Sequence, residues 1–410
     1  MRNVILSLGA ILIVLPYFFF GCTDTGNPID EDDVGMNIEF DDWTKFQFDN
    51  KNSGVSNATP PRNKPEIVWE NNEFGEISSP ILADGKLYFG DINRYFYRLD
   101  ASSGVIDWSI ELNGRFPRSF PTIVDGVIYV GTENSTLYAI SAESGESVWA
   151  VGLSNDIWGC PVILENRLYL TDQSGIVYCI DTQSGELIWS QDECLSNSTL
   201  AVKDNILYSL TQCNYSDPDI DFKLYAIDAT SGDILWSKGF EGSGARETTI
   251  SIKDNKVIFG TSGFIYCINL ETREVEWRHE EDSRINFHSS AVIKDDKVFI
   301  GCWTSAAPLF NPFIICLDIQ SGEEIWRNTF ERGESIMSPP TIGNNNVLLS
   351  VVSRDVGLVA LDAETGNELW RLNEGTNEYS LLRGSSRGEP ILSKDYIFWG
   401  TGFRSIVALK

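Results

Sequence analysis

Along Ser78 to Leu112, "SSPILADGKLYFGDINRYFYRLDASSGVIDWSIEL", the apolar positions gather into four short runs rich in β-branched and aromatic residues. Asp-Gly, Gly-Asp and Ser-Ser-Gly separate them, the turn chemistry of tight hairpins. The pattern predicts strand A over Ser79 to Ala83, B over Lys86 to Gly90, C over Tyr95 to Asp100 and D over Val105 to Leu112. No stretch sustains a 3.6-residue apolar period, so helices should be nearly absent.

The same pattern recurs. Tryptophans 69, 108, 149, 189, 236, 277, 326 and 370 are spaced 39 to 49 residues apart, the period of a four-stranded propeller blade. Such a sheet cannot bury both faces alone, whereas radial stacking packs each against its neighbours. A flat indole on the outer strand would cover the adjacent blade's backbone. The glycine before it would take the left-handed conformation that ends the C–D turn. Aspartates 100, 181, 228, 318 and 362 precede that turn, where an Asx side chain can accept from turn amides, so they read as structural and not as a catalytic series. The chain ends in "SIVALK", where an eighth copy would still need strand D, and "EIVWE" at Glu66 to Glu70 supplies it. The expected fold is therefore all-β: an eight-bladed propeller of four-stranded antiparallel blades, closed by pairing of the N- and C-terminal strands. It should form from about residue 65 onward, within a propeller domain spanning 43–410.

With "LDASSGVIDW", "IDTQSGELIW", "IDATSGDILW" and "LDAETGNELW" in view, the chain resembles the PQQ-type propeller repeat family, with tryptophan-docked blades. "WTKFQFDNKNSG", from Trp43 to Gly54, resembles that family's entry to the first blade. The resemblance implies either of two kinds of protein. One is a quinoprotein dehydrogenase holding pyrroloquinoline quinone and calcium at the propeller centre. The other is a BamB-like lipoprotein without a cofactor, which scaffolds outer-membrane β-barrel assembly.

The first residues bear on location. Arg2, an apolar run from Val4 to Phe20 and "FFGC" ending at Cys22 read as a secretory signal over 1–21, too short and wrongly flanked for a confident membrane span. A small residue directly before cysteine resembles a lipobox, which makes Cys22 the expected lipid attachment, against an ordinary signal with an incidental cysteine. Thr23 after it favours the outer membrane, on the periplasmic side. Residues 22–42, with "DEDD" at Asp30 to Asp33, read as an acidic tether; surface export is the alternative. The membrane would be met through the lipid anchor only.

Net charge is −28, which argues against nucleic acid as a partner. Of eight cysteines, Cys179, Cys267 and Cys316 fall at a repeat position where other copies carry alanine, so they read as buried packing residues. Cys194 and Cys213 fall in loops on the same side of one copy and leave a disulfide open; the pairing of Cys160 and Cys302 is open too.

Chemistry is sorted by face. D–A and B–C loops emerge on one side of the disc, and they carry Arg115, Arg118, Arg246, Arg284, Arg332, Arg383 and Arg387 with Trp158, Trp303 and Phe310. Arginine with aromatics is the composition of interface hot spots. Glutamates among these arginines leave local ion pairing as the alternative. "CWTSAAPLFNPF" (Cys302 to Phe313) is the most distinctive loop on that face; "DPDID" (Asp217 to Asp221) lacks the glycine and distal glutamate of a calcium loop. There is no adjacent cysteine pair, which alcohol-oxidising members of the family commonly show. His279 and His288 are too few for a histidine-based metal site, and His288 reads as a hydrogen-bonded wall residue.

The expectation from sequence is a monomeric, lipid-anchored envelope scaffold similar to BamB. It would not be an enzyme, would hold no cofactor or metal, and would bind an envelope protein such as the β-barrel insertase. The alternative is a PQQ-dependent oxidoreductase of alcohols or sugars; a carbohydrate- or surface-binding lipoprotein is the third.

Overall fold

The computed structural model describes residues 40–116, 120–192, 199–212, 222–241, 249–287, 289–304, 311–331, 334–336, 338–352, 357–372, 388–401 and 405–410. Strands dominate them, with no helix among the described residues. None is therefore long and apolar enough to cross a membrane there.

Eight antiparallel sheets form the blades of the propeller, each with the order A-B-C-D. In the first blade the strands are Ile81–Ala83, Lys86–Gly90, Tyr95–Asp100 and Ile106–Glu111, close to the expected bounds. In the seventh, strand B (Asn346–Val352) also pairs with Ser335–Ile336, ahead of strand A. The eighth blade joins Ile391–Ser393, Tyr396–Gly400 and Ile406–Leu409 to Ile67–Asn71 from the other end of the chain. Trp69 faces Ala408 and Asn71 faces Ile406 across that seam.

The apolar cores lie between blades. One cluster joins Tyr88 and Phe96 of the first blade to Ile128 and Val130 of the second; the next joins Leu137 of the second to Leu168 and Leu170 of the third. Each blade thus depends on its neighbours for burial.

The tryptophans weld these joints. Trp149 lies on Gly185 of the next blade's C–D turn, where φ is +73° and a Cβ would stand 2.8 Å from the indole, so the turn needs glycine for conformation and for room. The Trp149 indole N–H also donates to the Thr182 carbonyl at 2.9 Å. Trp69, Trp108, Trp189, Trp277 and Trp326 repeat that bond to Ala101, Ala142, Ala229, Ile319 and Ala363. Two joints differ. Trp236 meets Arg273 in place of glycine, at φ +62°, with the guanidinium 5.6 Å over its ring. Trp370 has no C–D turn of an eighth blade to meet and donates to the Pro61 carbonyl, ahead of the closing strand.

The Ala/Cys slot is explained by register: Ala139, Cys179, Ala226, Cys267, Cys316, Ala360 and Ala408 each lie directly opposite a docking tryptophan. Cys160, Cys179, Cys267, Cys302 and Cys316 are buried free thiols. Cys194 and Cys213 lie outside the described residues.

The repeat aspartates cap turns. Asp181 accepts from the amides of Gln183 and Ser184, Asp228 from Thr230 and Ser231, Asp318 from Gln320 and Ser321. Foremost through the second amide of each pair, the turns hold the three carboxyls below their ordinary range. A carboxyl lowered in the folded state stabilises above its unfolded pKa of about 3.9 and loses that contribution as pH falls below it. Melting temperature should therefore drop as pH falls from about 4 to 2.5. Replacing all three aspartates by asparagine, which still accepts from the amides but carries no charge, should flatten that limb by lowering the pH 7 value toward the acid one.

Candidate functional site

The site is at the propeller axis, and the N-terminal segment builds it. Strand A is the innermost strand of each blade, and residues 41–59 visit the A strands or A–B turns in order. Trp43 exchanges backbone hydrogen bonds with Leu82 of the first blade, and Lys45 bridges Thr122 of the second. The Asn50 side chain reaches the Ile163 carbonyl, and Val202 and Ile252 donate to the carbonyls of Asn50 and Lys51. Gly54 and Ser56 pair with Ile342, and Thr59 ends on the Lys394 carbonyl of the eighth. This girdle satisfies backbone groups on the inner strand edges that would otherwise face an open hole.

Girdle and ring together bury polar side chains. Lys45 is fully enclosed and donates to the carbonyls of Phe46 and Asp49 and to Asn52 Oδ1. Asn52 in turn donates to the Leu200 and Ile250 carbonyls. Two residues before the first strand-A position, the blades carry Ser79-Pro, Phe120-Pro, Cys160-Pro and Glu389-Pro among others. Glu389 is the one carboxylate at this position around the ring. It is 1% exposed and its Oε1 accepts from the Gln47 backbone N–H at 2.8 Å. Its own backbone N–H donates to Ser79 Oγ. The Cys160 thiol lies 3.1 Å from the Thr122 hydroxyl.

These groups are electrostatically unusual. Burial pushes Glu389 up to about 7, against the opposing pull of the Gln47 amide, Lys45 and the Trp43 indole. Burial lowers Lys45, while Cys160, Asp49 and Glu389 act the other way, and burial raises the Cys160 thiol. Glu389 Oε2 and both polar side-chain atoms of Gln47 have no hydrogen-bond partner; the Trp43 N–H lies beside the Glu389 carboxyl without meeting hydrogen-bond geometry. Gln47 and Phe48 also sit consecutively in the left-handed region, at φ +53° and +71°. A carboxyl titrating near neutrality, with one free oxygen, can take a proton from a hydroxyl placed against it.

The expected partner face is partly described. Arg115, Trp158, Arg284 and Trp303 fall in D–A or B–C connections. Arg284 is clamped by Asp282 through two side-chain bonds of 2.7 Å, the local pairing weighed as the alternative. Trp303 is held by a two-residue pairing with Ile285–Asn286. Cys22, Arg118, Arg246, His288, Phe310, Arg332, Arg383 and Arg387 lie outside the described residues.

Sequence reasoning passed over two features. Glu389 was legible as a charge in a slot where other copies carry Ser, Phe or Cys before proline. The arginines that directly follow Trp277, Trp326 and Trp370 were not singled out. Arg278 reaches Glu241 and lies over Phe264; Arg327 reaches Glu281 and lies over Phe313; Arg371 reaches Glu334 and lies over Phe330. Each ties its blade to the connection leaving the previous one. Among the described residues, His279, Glu281 and Glu324 offer donor atoms close enough to share a metal ion. Arg327 already occupies both carboxylates, at 2.5 and 2.7 Å, so the group is complete as an ion-pair network.

Fold and axis define a tryptophan-docked eight-bladed propeller with a buried acid at its centre. The chain belongs to the family described as outer membrane protein assembly factor BamB, whose model matches residues 55–157, 145–302 and 288–410. The BamB structure from Moraxella catarrhalis superposes with a TM-score of 0.64 at 14% identity, covering 84% of this chain and 99% of that one. Quinohemoprotein alcohol dehydrogenase from Comamonas testosteroni gives 0.69 at 13%, covering 90% and 80%. At such identities these two likenesses are of fold. In sequence, a polyvinylalcohol dehydrogenase from Pseudomonas sp is 24% identical over 206 residues, 45% of this chain and 30% of that protein. The match thus spans less than a third of the dehydrogenase. It nevertheless corrects the expectation that the chain is not an enzyme: the curated relative is a dehydrogenase, and alcohol dehydrogenases share the propeller.

A quinone cofactor bearing several carboxylates asks for cations, and calcium for several oxygen ligands. Lys45, the cation of the described axial cluster, gives hydrogen bonds to three protein acceptors, and Glu389 is the cluster's one fully buried carboxylate. The described axial residues fit a hydroxyl group and do not fit such a cofactor, so none of its contacts is placed on them.

Proposed function

We propose that the chain is an exported oxidoreductase of alcohols, in which Glu389 accepts the proton of the substrate hydroxyl while the hydride on the carbinol carbon passes to an added two-electron quinone acceptor that the described axial residues do not themselves hold. The carrying observation is the fully buried axial carboxyl with a free oxygen, held near neutrality; the sequence match to a dehydrogenase of a polyalcohol supports it. Lys45 stands close enough to favour the charge that Glu389 must carry before it can accept a proton. The Gln47 backbone N–H fixes Oε1 and leaves Oε2 for the hydroxyl. Attachment through Cys22 on the periplasmic side of the outer membrane belongs to the same proposal.

The test is dye-linked oxidation of secondary alcohols by the purified chain, with pyrroloquinoline quinone supplied, with and without calcium. Wild type should turn over, and Glu389→Gln should lose about 10²-fold or more in kcat. No oxidation by wild type in any mixture, or an undiminished rate in the variant, would sink the reading.

Family membership and the near-complete coverage of Moraxella BamB favour a second, compatible role: docking an envelope-assembly protein on the loop face. Arg115, Arg118, Trp158, Arg246, Arg284, Trp303, Phe310, Arg332, Arg383 and Arg387 would carry it. Cross-linked affinity purification from native envelopes would recover a β-barrel insertase if this role exists.

A further inference from the structure

We propose that Gln47 and Glu389 form a two-point seat for a diol segment, so that the axial site prefers polyhydroxylated ligands over simple alcohols. The inference rests on the oxidoreductase reading for its reaction and on the geometry of the axis for its selectivity.

Three observations carry it. Glu389 Oε2, Gln47 Oε1 and Gln47 Nε2 are buried without a partner, on side chains 1% and 0% exposed. Native proteins rarely leave such atoms unmet, and a cluster of them calls for an occupant. The two residues adjoin, since the Gln47 backbone N–H is 2.8 Å from the Glu389 carboxyl. The backbone that places Gln47 is strained: consecutive non-glycine residues, Gln47 and Phe48, take φ of +53° and +71°. Strain of this kind persists where surrounding structure enforces it and clusters at ligand sites.

The unmet atoms of these two residues are two acceptors and one donor, and the unpaired Trp43 N–H adds a second donor beside the Glu389 carboxyl. One hydroxyl can donate to Glu389 Oε2. A second can donate to Gln47 Oε1 or accept from Nε2. A diol supplies both, whereas a monohydric alcohol leaves the amide unpaired, and a buried site built for a hydroxyl discriminates strongly against a ligand lacking it. The girdle does not need a glutamine here to close the hole, because its contacts with the blades run through backbone groups and through Asn50, Asn52 and Ser56.

The test uses the full chain and two probes, 2,4-pentanediol and 2-pentanol, with two readouts. Calorimetric titration without any electron acceptor should show the diol binding at least tenfold more tightly. In the dye-linked assay its kcat/KM should exceed the monohydric value by a similar factor. Gln47→Met, checked for an unchanged melting profile, should bring both ratios close to one. Equal binding of the probes by wild type would overturn the seat even if the variant failed to fold, and would leave ordered water as the occupant. Oxidation without diol preference would overturn the seat and keep the oxidoreductase reading. Diol-selective binding without oxidation would keep the seat and overturn that reading.

Discussion

Removing Ser405 to Lys410 will abolish the cooperative melting of the whole propeller. Those residues include Ile406–Leu409, strand C of the eighth blade, whose four side chains are at most 5% exposed. Strand C pairs on one side with Tyr396–Gly400 and on the other with Ile67–Asn71. Burying Ile, Val and Leu at about 1.5–3 kcal/mol each puts the loss at roughly 5–9 kcal/mol, before lost ladder bonds are counted. That is comparable to the whole stability of a typical domain, about 5–15 kcal/mol. Deletion also frees the Ile67–Asn71 strand and with it Trp69, the weld onto Gly104 of the first blade. The measurement is thermal unfolding followed by circular dichroism. A truncated chain that melted at the full-length temperature would show that the seam does not close the ring.

Glu389→Gln will stabilise the protein, and increasingly so as pH rises. A carboxyl whose folded pKa is raised makes its full contribution below the unfolded value and loses it as pH climbs through the folded one. The window here runs from the ordinary 4.5 up to about 7. Above it the cost of holding the charge in the core stays constant, at about 3 kcal/mol for that displacement. Glutamine keeps an acceptor for the Gln47 amide and removes the charge. Wild type and variant should therefore melt together near pH 4.5 and separate by a few degrees by pH 8. A gap that is flat with pH would mean that Glu389 titrates normally. The stability gain, paired with the loss of turnover expected above, is the signature of a group kept for chemistry at the expense of the fold.

Much of this molecule could be read directly from residues. The Asp–x–x–x–Gly–x–x–x–Trp recurrence in "IDTQSGELIW" states a turn, an outer strand and an interblade weld at once, because each depends on local conformation or on one flat side chain. The Arg273 exception at the fifth joint was not legible, since the left-handed arginine meets Trp236, its guanidinium over the ring, across a blade joint that only the folded chain brings together. The axial site was half legible. Glu389 stood out in its slot, but nothing near it in sequence names Gln47 or Lys45, more than 340 residues away.

The sequence by itself determined the blade, the number of copies and the borrowed closing strand, because hairpin chemistry and periodic tryptophans act over tens of residues. Only the tertiary structure decided what fills the centre. Once eight inner strands surround an axis, their unpaired edges need partners, and the girdle from 41 to 59 supplies them. Drawing Lys45 and Gln47 past Glu389 into the buried centre turned three unremarkable polar residues into a site, because burial, and not residue type, sets their chemistry.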